Sequence, residues 1–364
     1  MIGRKILATA LSVLALGAVG CGGDDGNTSA TDGGTGGGDG GGGGGAGQTL
    51  DFVITRLSLD SSSMIANRGA HGFNVDGRFS PRTGGMPLDC EKADAFSPID
   101  ADQNMGTCTA GMANGGAGCQ GGVDNQLPEI AETVGGLVGG GMDIGALVQE
   151  QITDGSLAVI LRVEGINGTP GPTLNDDNVT VKLYPFAHPM FASCANIGMP
   201  NQPYQVDPRS VEGNDLARAR FTYTGRIRNG RLQVTSSGTG PGFSLGIPVS
   251  NNTINLNLFS VAMRFNLADG SGGNLGGMVL RSDLAATLAM PGLLPPGIMP
   301  ATVNALLGGF VDIATDSMNR PGMGSCDMDN AGGIGAGLGF EVRPAMVNAT
   351  VAARPMTGTC GAGN

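Results

Sequence analysis

Two stretches between residues 218 and 267 alternate apolar and polar residues at a period of two, the signature of strands half-buried on one face. Phe221 and Tyr223 alternate with Thr222 and Thr224, and Ile254, Leu256 and Leu258 alternate further on. Val261, Met263, Phe265 and Leu267 then continue one position out of phase, which predicts a β-bulge near Ser260. Asn229-Gly230 separates the strand candidates 218–227 and 231–236. Both turn residues tolerate positive φ, so a tight hairpin follows. The fold class is mainly β: a sandwich- or barrel-like antiparallel sheet.

Other segments add elements to that sheet. Residues 50–59 read as an entry strand with Phe52, Ile54 and Leu57 inward, 156–166 and 178–184 as further strands, and 334–342 as a final one. Short helical insertions are expected at 128–138, opened by Pro128 and Glu129, and at 144–152, capped by Asp143. Two more are expected at 282–290 and 300–313, split by the breaker Leu294-Pro295-Pro296-Gly297. Residues 60–125, rich in Gly, Asp, Asn and Pro, read as a long irregular loop.

The first fifty residues read differently. Arg4 and Lys5 precede an apolar run over 6–16 that is too short to span a bilayer. Small residues and Cys21 follow, giving the tripartite form of a secretory signal. The stretch Gly17-Ala18-Val19-Gly20-Cys21 resembles the lipobox of bacterial lipoproteins, with Ala18 where that family most often has Leu. The resemblance covers residues 1–48 only. It implies a signal peptide over 1–20, cleavage before Cys21 and a lipid (palmitate among its acyl chains) on that cysteine. Gly22 rather than Asp follows, which implies the outer membrane. Two or more acyl chains hold a protein firmly, whereas one does not.

Glycine takes up 67 of the 364 positions. Fifteen of them fall in residues 22–47, with Asp, Ser and Thr. That composition builds no core and reads as a disordered tether within 21–48, with an r.m.s. span of about 28 Å. Residues 49–364 form the exported β-rich domain, with a candidate sub-boundary near 195–215.

Without Cys21, six cysteines remain: Cys90, Cys108, Cys119, Cys194, Cys326 and Cys360. An even number in an exported chain predicts three disulfides stapling long loops, and fifteen pairings are open. No Cys-x-x-Cys spacing points to zinc or to thioredoxin-like chemistry.

The net charge of -11 and only three lysines argue against nucleic acid as a partner. Arg218, Arg220, Arg226, Arg228 and Arg231 read as the solvated face of a hairpin, ahead of an anion-binding strip. Gly242-Phe243-Ser244-Leu245-Gly246 matches the nucleophile-elbow pattern, but both histidines lie upstream, so a glycine-rich strand is the better reading. His71 and His188 are read as structural or exposed rather than as general bases. Asx clusters form the chemical lead: Asn74 and Asp76; Asp100, Asp102 and Asn104; Asp124; Asp327 and Asp329. Calcium takes oxygen ligands from such alternate positions, while Asx residues also favour turns without a metal. Turns are the better reading of these clusters, ahead of a structural calcium site, the one cofactor they suggest.

The reading is an exported lipoprotein, membrane-attached through its lipid, with a non-enzymatic binding or structural role toward an envelope protein or small ligand. The alternatives are a secreted hydrolase with a carboxylate site and a carrier of an apolar ligand.

Overall fold

A computed structural model describes residues 47–59, 71–75, 95–97, 120–137, 144–235, 242–249, 252–290, 298–315, 321 and 332–354. All belong to one compact unit spanning Gly45–Asn364. The strands are β1 (Gln48–Ser58), β2 (Ala95–Ser97), β3 (Gln120–Val123), β4 (Ile160–Ile166), β5 (Asp176–Tyr184), β6 (Ala187–Pro189), β7 (Gln202–Val206) and β8 (Val211–Glu212). They continue with β9 (Asp215–Ala219), β10 (Phe221–Arg228), β11 (Arg231–Thr235), β12 (Phe243–Val249), β13 (Asn252–Asn266), β14 (Gly273–Leu280) and β15 (Gly333–Val351). Four helices are described: α1 (Leu127–Leu137), α2 (Ile144–Thr153), α3 (Arg281–Leu288) and α4 (Pro300–Gly308).

Of the two architectures expected, the chain adopts the barrel. Strands β1, β4, β5, β10, β11, β13, β14 and β15 pair antiparallel in that order, and β15 pairs back to β1. Each ring strand neighbours the next ring strand along the chain, as in an up-and-down barrel. Four excursions leave the ring. One carries β2, β3, α1 and α2; another carries β6–β9; a third is β12; the last carries α3 and α4.

Side chains fill the interior. The Phe265 ring on β13 lies 5.3 Å from that of Phe52 on β1 and 5.8 Å from that of Phe340 on β15, edge to face. β13 and β1 are three places apart around the ring, so these rings meet only across the interior. The alternation that predicted the sheet aims the apolar set inward. On β5, Val179, Val181 and Leu183 join the main core, while Lys182 faces out and pairs with Glu164 at 2.7 Å. Arg162 on β4 likewise pairs with its register partner Asp51 on β1, at 2.7 Å.

The expected irregularities are present. Ser260 has φ 52°, and the β13–β14 register slips between Phe259 and Ala262. The bulge returns Val261, Met263 and Phe265 to the core after Leu256 and Leu258. A second slip between Ile54 and Arg56 explains why Leu57, rather than residue 56, points inward. Asn229 and Gly230 have φ 50° and 74° and join Arg228 to its partner Arg231.

Some expected boundaries shift. The strand expected from 156 begins at Ile160, and the one expected from 218 divides into β9, which pairs with β8, and β10, which pairs with β5. The helix expected to reach 313 ends at Gly308-Gly309, where poor helix formers adjoin. Ile313 bridges Gly333 instead. The region near 195–215 lies in the excursion between β5 and β10. Its Ala187, Tyr204 and Val206 cover the outward Val53, Ile160 and Tyr184 in a second apolar cluster.

The seam between β1 and β15 governs the closure. Pairing runs from Phe52↔Pro344 to Ser58↔Gly339 and there β1 ends. Beyond it, the N–H of Gly335 donates to Asp312 Oδ1 at 2.6 Å and that of Gly337 to Asn125 Oδ1 at 2.9 Å. Gln126 N–H donates to the carbonyl of Gly335 at 2.8 Å. These partners reach the strand because Ile334, Ala336, Leu338 and Phe340 alternate with glycines whose outer face is bare. A Cβ on Gly335 falls 2.4 Å from the backbone of Asp124, and one on Gly337 falls 2.7 Å from the carbonyl oxygen of His71.

Gly335→Ala therefore forces backbone apart and is expected to lower stability by about 1–3 kcal/mol. Gly171→Ala, whose added Cβ meets nothing closer than 4.0 Å, is expected to stay within about 0.5 kcal/mol. Chemical denaturation of the two variants reads the difference.

Candidate functional site

Two of the cavities among the described residues differ in chemistry, one apolar and one of mixed polar and apolar lining. The first lies where α1, α2 and α3 meet β12, β13 and the ends of β1 and β15. Its lining includes Leu57, Ile130, Val134, Val148, Leu245, Leu256, Leu284 and Leu338, and its volume is ≈ 60 Å³. α1 and α2 supply it through the faces that periodicity picked out: Ile130 and Val134 on one, Val148 on the other, all buried. Small-molecule sites run to about 300–1,000 Å³. The apolar-carrier alternative required a large apolar cavity, and this one is much smaller than such sites.

The second is a polar cleft of ≈ 360 Å³ on the outer wall, between β1, β15 and the start of β14. Arg56, Ser58, His71, Arg231, Asn274 and Glu341 line it, with the backbone of Gly272 and Gly273. The alternation that sends Leu57 and Leu232 inward sends Arg56, Ser58 and Arg231 outward. Arg56 Nη1 lies 3.3 Å from Glu341 Oε1, and both side chains are exposed. Arg231 Nη2 donates to the Gly272 carbonyl at 3.2 Å, which fixes the guanidinium against the turn. Gly272 holds φ +59°, a conformation that favours glycine. Gly339 lies behind the cleft: a Cβ there falls 2.4 Å from His71 Nε2 and 2.5 Å from Ser58 Oγ. Its bare face is what lets the two side chains approach the strand together. Among the described residues that line this cleft, Glu341 is the one carboxylate, and it faces Arg56 rather than a second carboxylate of the kind the hydrolase alternative needs.

Of the sequence-predicted site residues that are described, Cys194, Asn74 and Asp124 line neither cavity. Cys194 opens a short 3₁₀ turn and is disulfide-bonded. Cys21, Cys90, Cys108, Cys119, Cys326 and Cys360 lie outside the described residues. So do Asp76, Asp100, Asp102, Asn104, Asp327 and Asp329 of the calcium candidates. Asn74 and Asp124 are described. Asp124 is fully buried, and its Oδ2 accepts the N–H of Val75 at 2.6 Å, a structural use. Among the described residues, no group of three His, Cys, Asp or Glu side chains is placed to hold a metal ion. Ser244 lies in mid-strand opposite Asn257, so 242–246 has no strand-to-helix elbow.

The arginine strip is largely spent on neighbours. Arg218 pairs with Glu212 at 3.0 Å, Arg226 donates to Gln233 at 3.0 Å, and Arg228 pairs with Asp177. Arg231 alone of the five lines the cleft. Arg56, Ser58, Asn274 and Glu341 escaped sequence reasoning. The glycines at 333, 335, 337 and 339 were the available signal, since glycine within a strand marks close approach.

His188 sits on β6, buried, beside the Asp207, Arg209 and Arg354 network. Arg354 donates to the carbonyls of Gly155 and Ser156, and its N–H to Asp207 Oδ2 at 3.2 Å. Burial works to raise Asp207, but hydrogen bonds from Arg209 and Arg354 outweigh it and hold the carboxyl below its usual range. Burial, then the charge of Arg354, push His188 below its usual 6.5, against an opposing pull from Asp207. The imidazole is thus buried neutral, in line with a structural role.

The sign of the resulting pH dependence is fixed. The unfolded chain takes up the His188 proton first, so this contribution to stability is complete above pH 6.5 and is lost as pH falls toward the depressed folded value. His188→Gln is expected to flatten stability against pH in the window just below 6.5. Urea denaturation across that range tests it, and an unchanged slope contradicts the burial account.

Comparison with protein-family models, with curated proteins and with solved structures finds no match for this chain.

Proposed function

We propose that the chain is an exported lipoprotein, held to the cell envelope by a lipid on Cys21, whose barrel serves a non-enzymatic binding or structural role. The observation that carries the role is the filled interior: Phe52, Phe265 and Phe340 close on one another across the ring. A barrel packed this way is neither a container nor a channel, so its contacts are made from the wall and the excursions. On β4, β5 and β10 the outward positions include Arg162, Glu164, Lys182, Thr222, Thr224 and Arg226, opposite to the apolar-out pattern of membrane barrels. Among the described residues no helix is long and apolar enough to cross a membrane.

Disulfides that staple the long loops belong to the same proposal. With 49 of its glycines outside residues 1–47, the domain gains from any link that restricts its unfolded chain. The hydrolase and carrier alternatives rank lower, since among the described residues no carboxylate pair lines either cavity and the apolar cavity is small.

Cys21→Ser is the decisive variant. It is expected to move the protein from the detergent-extracted membrane fraction into the wash, and unchanged membrane partitioning would overturn the anchor. Non-reducing peptide mapping is expected to show Cys90, Cys108, Cys119, Cys194, Cys326 and Cys360 without free thiols.

A further inference from the structure

Among the described residues, the large apolar side chains that stay exposed are Met190, Met199, Met299, Met346 and Leu306. Apolar area alone would be served as well by Leu, Ile, Val or Phe. What methionine adds is a thioether sulfur, which oxidants convert to a sulfoxide. Met190 and Met346 share one surface. The Met190 N–H donates to the Pro203 carbonyl at 3.0 Å on one side of β7, and Met346 is the register partner of Pro203 on the other. Asn348, two residues beyond Met346 and so on its face, donates its Nδ2–H to Met190 Sδ at 3.3 Å. The Met190 side chain therefore crosses β7 to reach β15, on the outer face of this small sheet. The inner face carries Tyr204, Val206, Ala345 and Val347, which pack in or against the second apolar cluster. Met190 is 46% exposed and Met346 54%, against 1% for Met263 and 0% for Met278. The two exposed side chains thus meet a dissolved oxidant without any opening of the fold. A thioether sulfur has two lone pairs, so the Asn348 contact leaves one on Met190 for reaction.

We propose that the outer face of β6, β7 and β15 is a site of reversible methionine oxidation by peroxide-class oxidants, with Met190 and Met346 as its substrates. A sulfur lone pair attacks one oxygen of hydrogen peroxide. The S–O bond forms, the O–O bond breaks, and the proton left on the transferred oxygen passes to the departing hydroxide, which leaves as water. Sulfur gives up an electron pair and peroxide gains it. The sulfoxide oxygen is a stronger acceptor than the thioether. At Met190 it takes over the Asn348 N–H and keeps β6 joined to β15. Oxidation here leaves the fold intact, whereas the same change at the buried Met263 puts a polar group into the core. The proposal does not depend on the lipid anchor.

Treatment of the full-length protein in neutral detergent with hydrogen peroxide, followed over time by peptide mass mapping, tests it. Met190 and Met346 are expected to gain one oxygen each about ten-fold or more faster than Met263 and Met278. Methionine sulfoxide reductases A and B are expected to remove both oxygens. Hydrogen exchange of the amides of 187–190 is expected to be no faster after oxidation in the wild type, but faster after oxidation in Asn348→Ala. If Asn348→Ala fails to fold, the isosteric Asn348→Asp, which lacks the amide donor, carries the same comparison. Three results would each overturn the proposal: Met190 and Met346 oxidising no faster than the buried pair, faster exchange of 187–190 in the oxidised wild type, or an oxidised Asn348 variant that exchanges like the wild type.

Discussion

Where β1 runs out at Ser58, the next residues of β15 still present backbone N–H and C=O groups to a partner that is no longer there. Gly335 and Gly337 turn theirs to Asp312, Asn125 and Gln126. A buried polar group left unmatched costs about 1–3 kcal/mol, so these substitutes are what allow the seam to end inside the protein. They come close only because alternate residues of β15 lack side chains. The remaining architecture follows. A closed seam leaves the ring without edges, and the bare stripe on β15 gives the excursion through 71–75 and 124–126 a place to lie. The same approach, at Gly339, puts His71 and Ser58 into one cleft.

Much of the sheet was legible because its signals are local. The phase change around Ser260 could be read from hydrophobic alternation alone, and the Asn229-Gly230 turn from two residues with an affinity for positive φ. The pairing of β1 with β15 was not legible. Phe52 and Pro344 face each other across nearly the whole chain, and period-two alternation says which face is buried without saying which strand is the neighbour. The glycines of residues 333–339 were visible and 334–342 was read as a strand, but nothing in that reading said why every second residue should be glycine. Their alternation with Ile334, Ala336 and Leu338 carried the information: one face packs the core while the other is left for backbone to approach. The domain's glycine excess thus has a packing cause as well as a turn cause.

The cleft was still less legible. Arg56, His71, Arg231, Asn274 and Glu341 come from five separate stretches, and no spacing rule links them. Motif reasoning favoured Asx clusters, and the one fully buried member described, Asp124, supports backbone instead. The arginine strip was read as a hairpin face, and four of its five members remain that. The exception, Arg231, differs by position only: it begins β11 just after the turn, where Gly272 is within reach.

Hydrogen exchange along the seam tests the central claim of closure most directly. If the barrel is closed as described, the amides of Phe52–Leu57 on β1 and of Ile334–Val342 on β15 exchange only through global unfolding, with the same protection as those shared by β13 and β14. Earlier exchange of the β1 and β15 amides, while β13 and β14 stay protected, would show an open sheet and contradict the account.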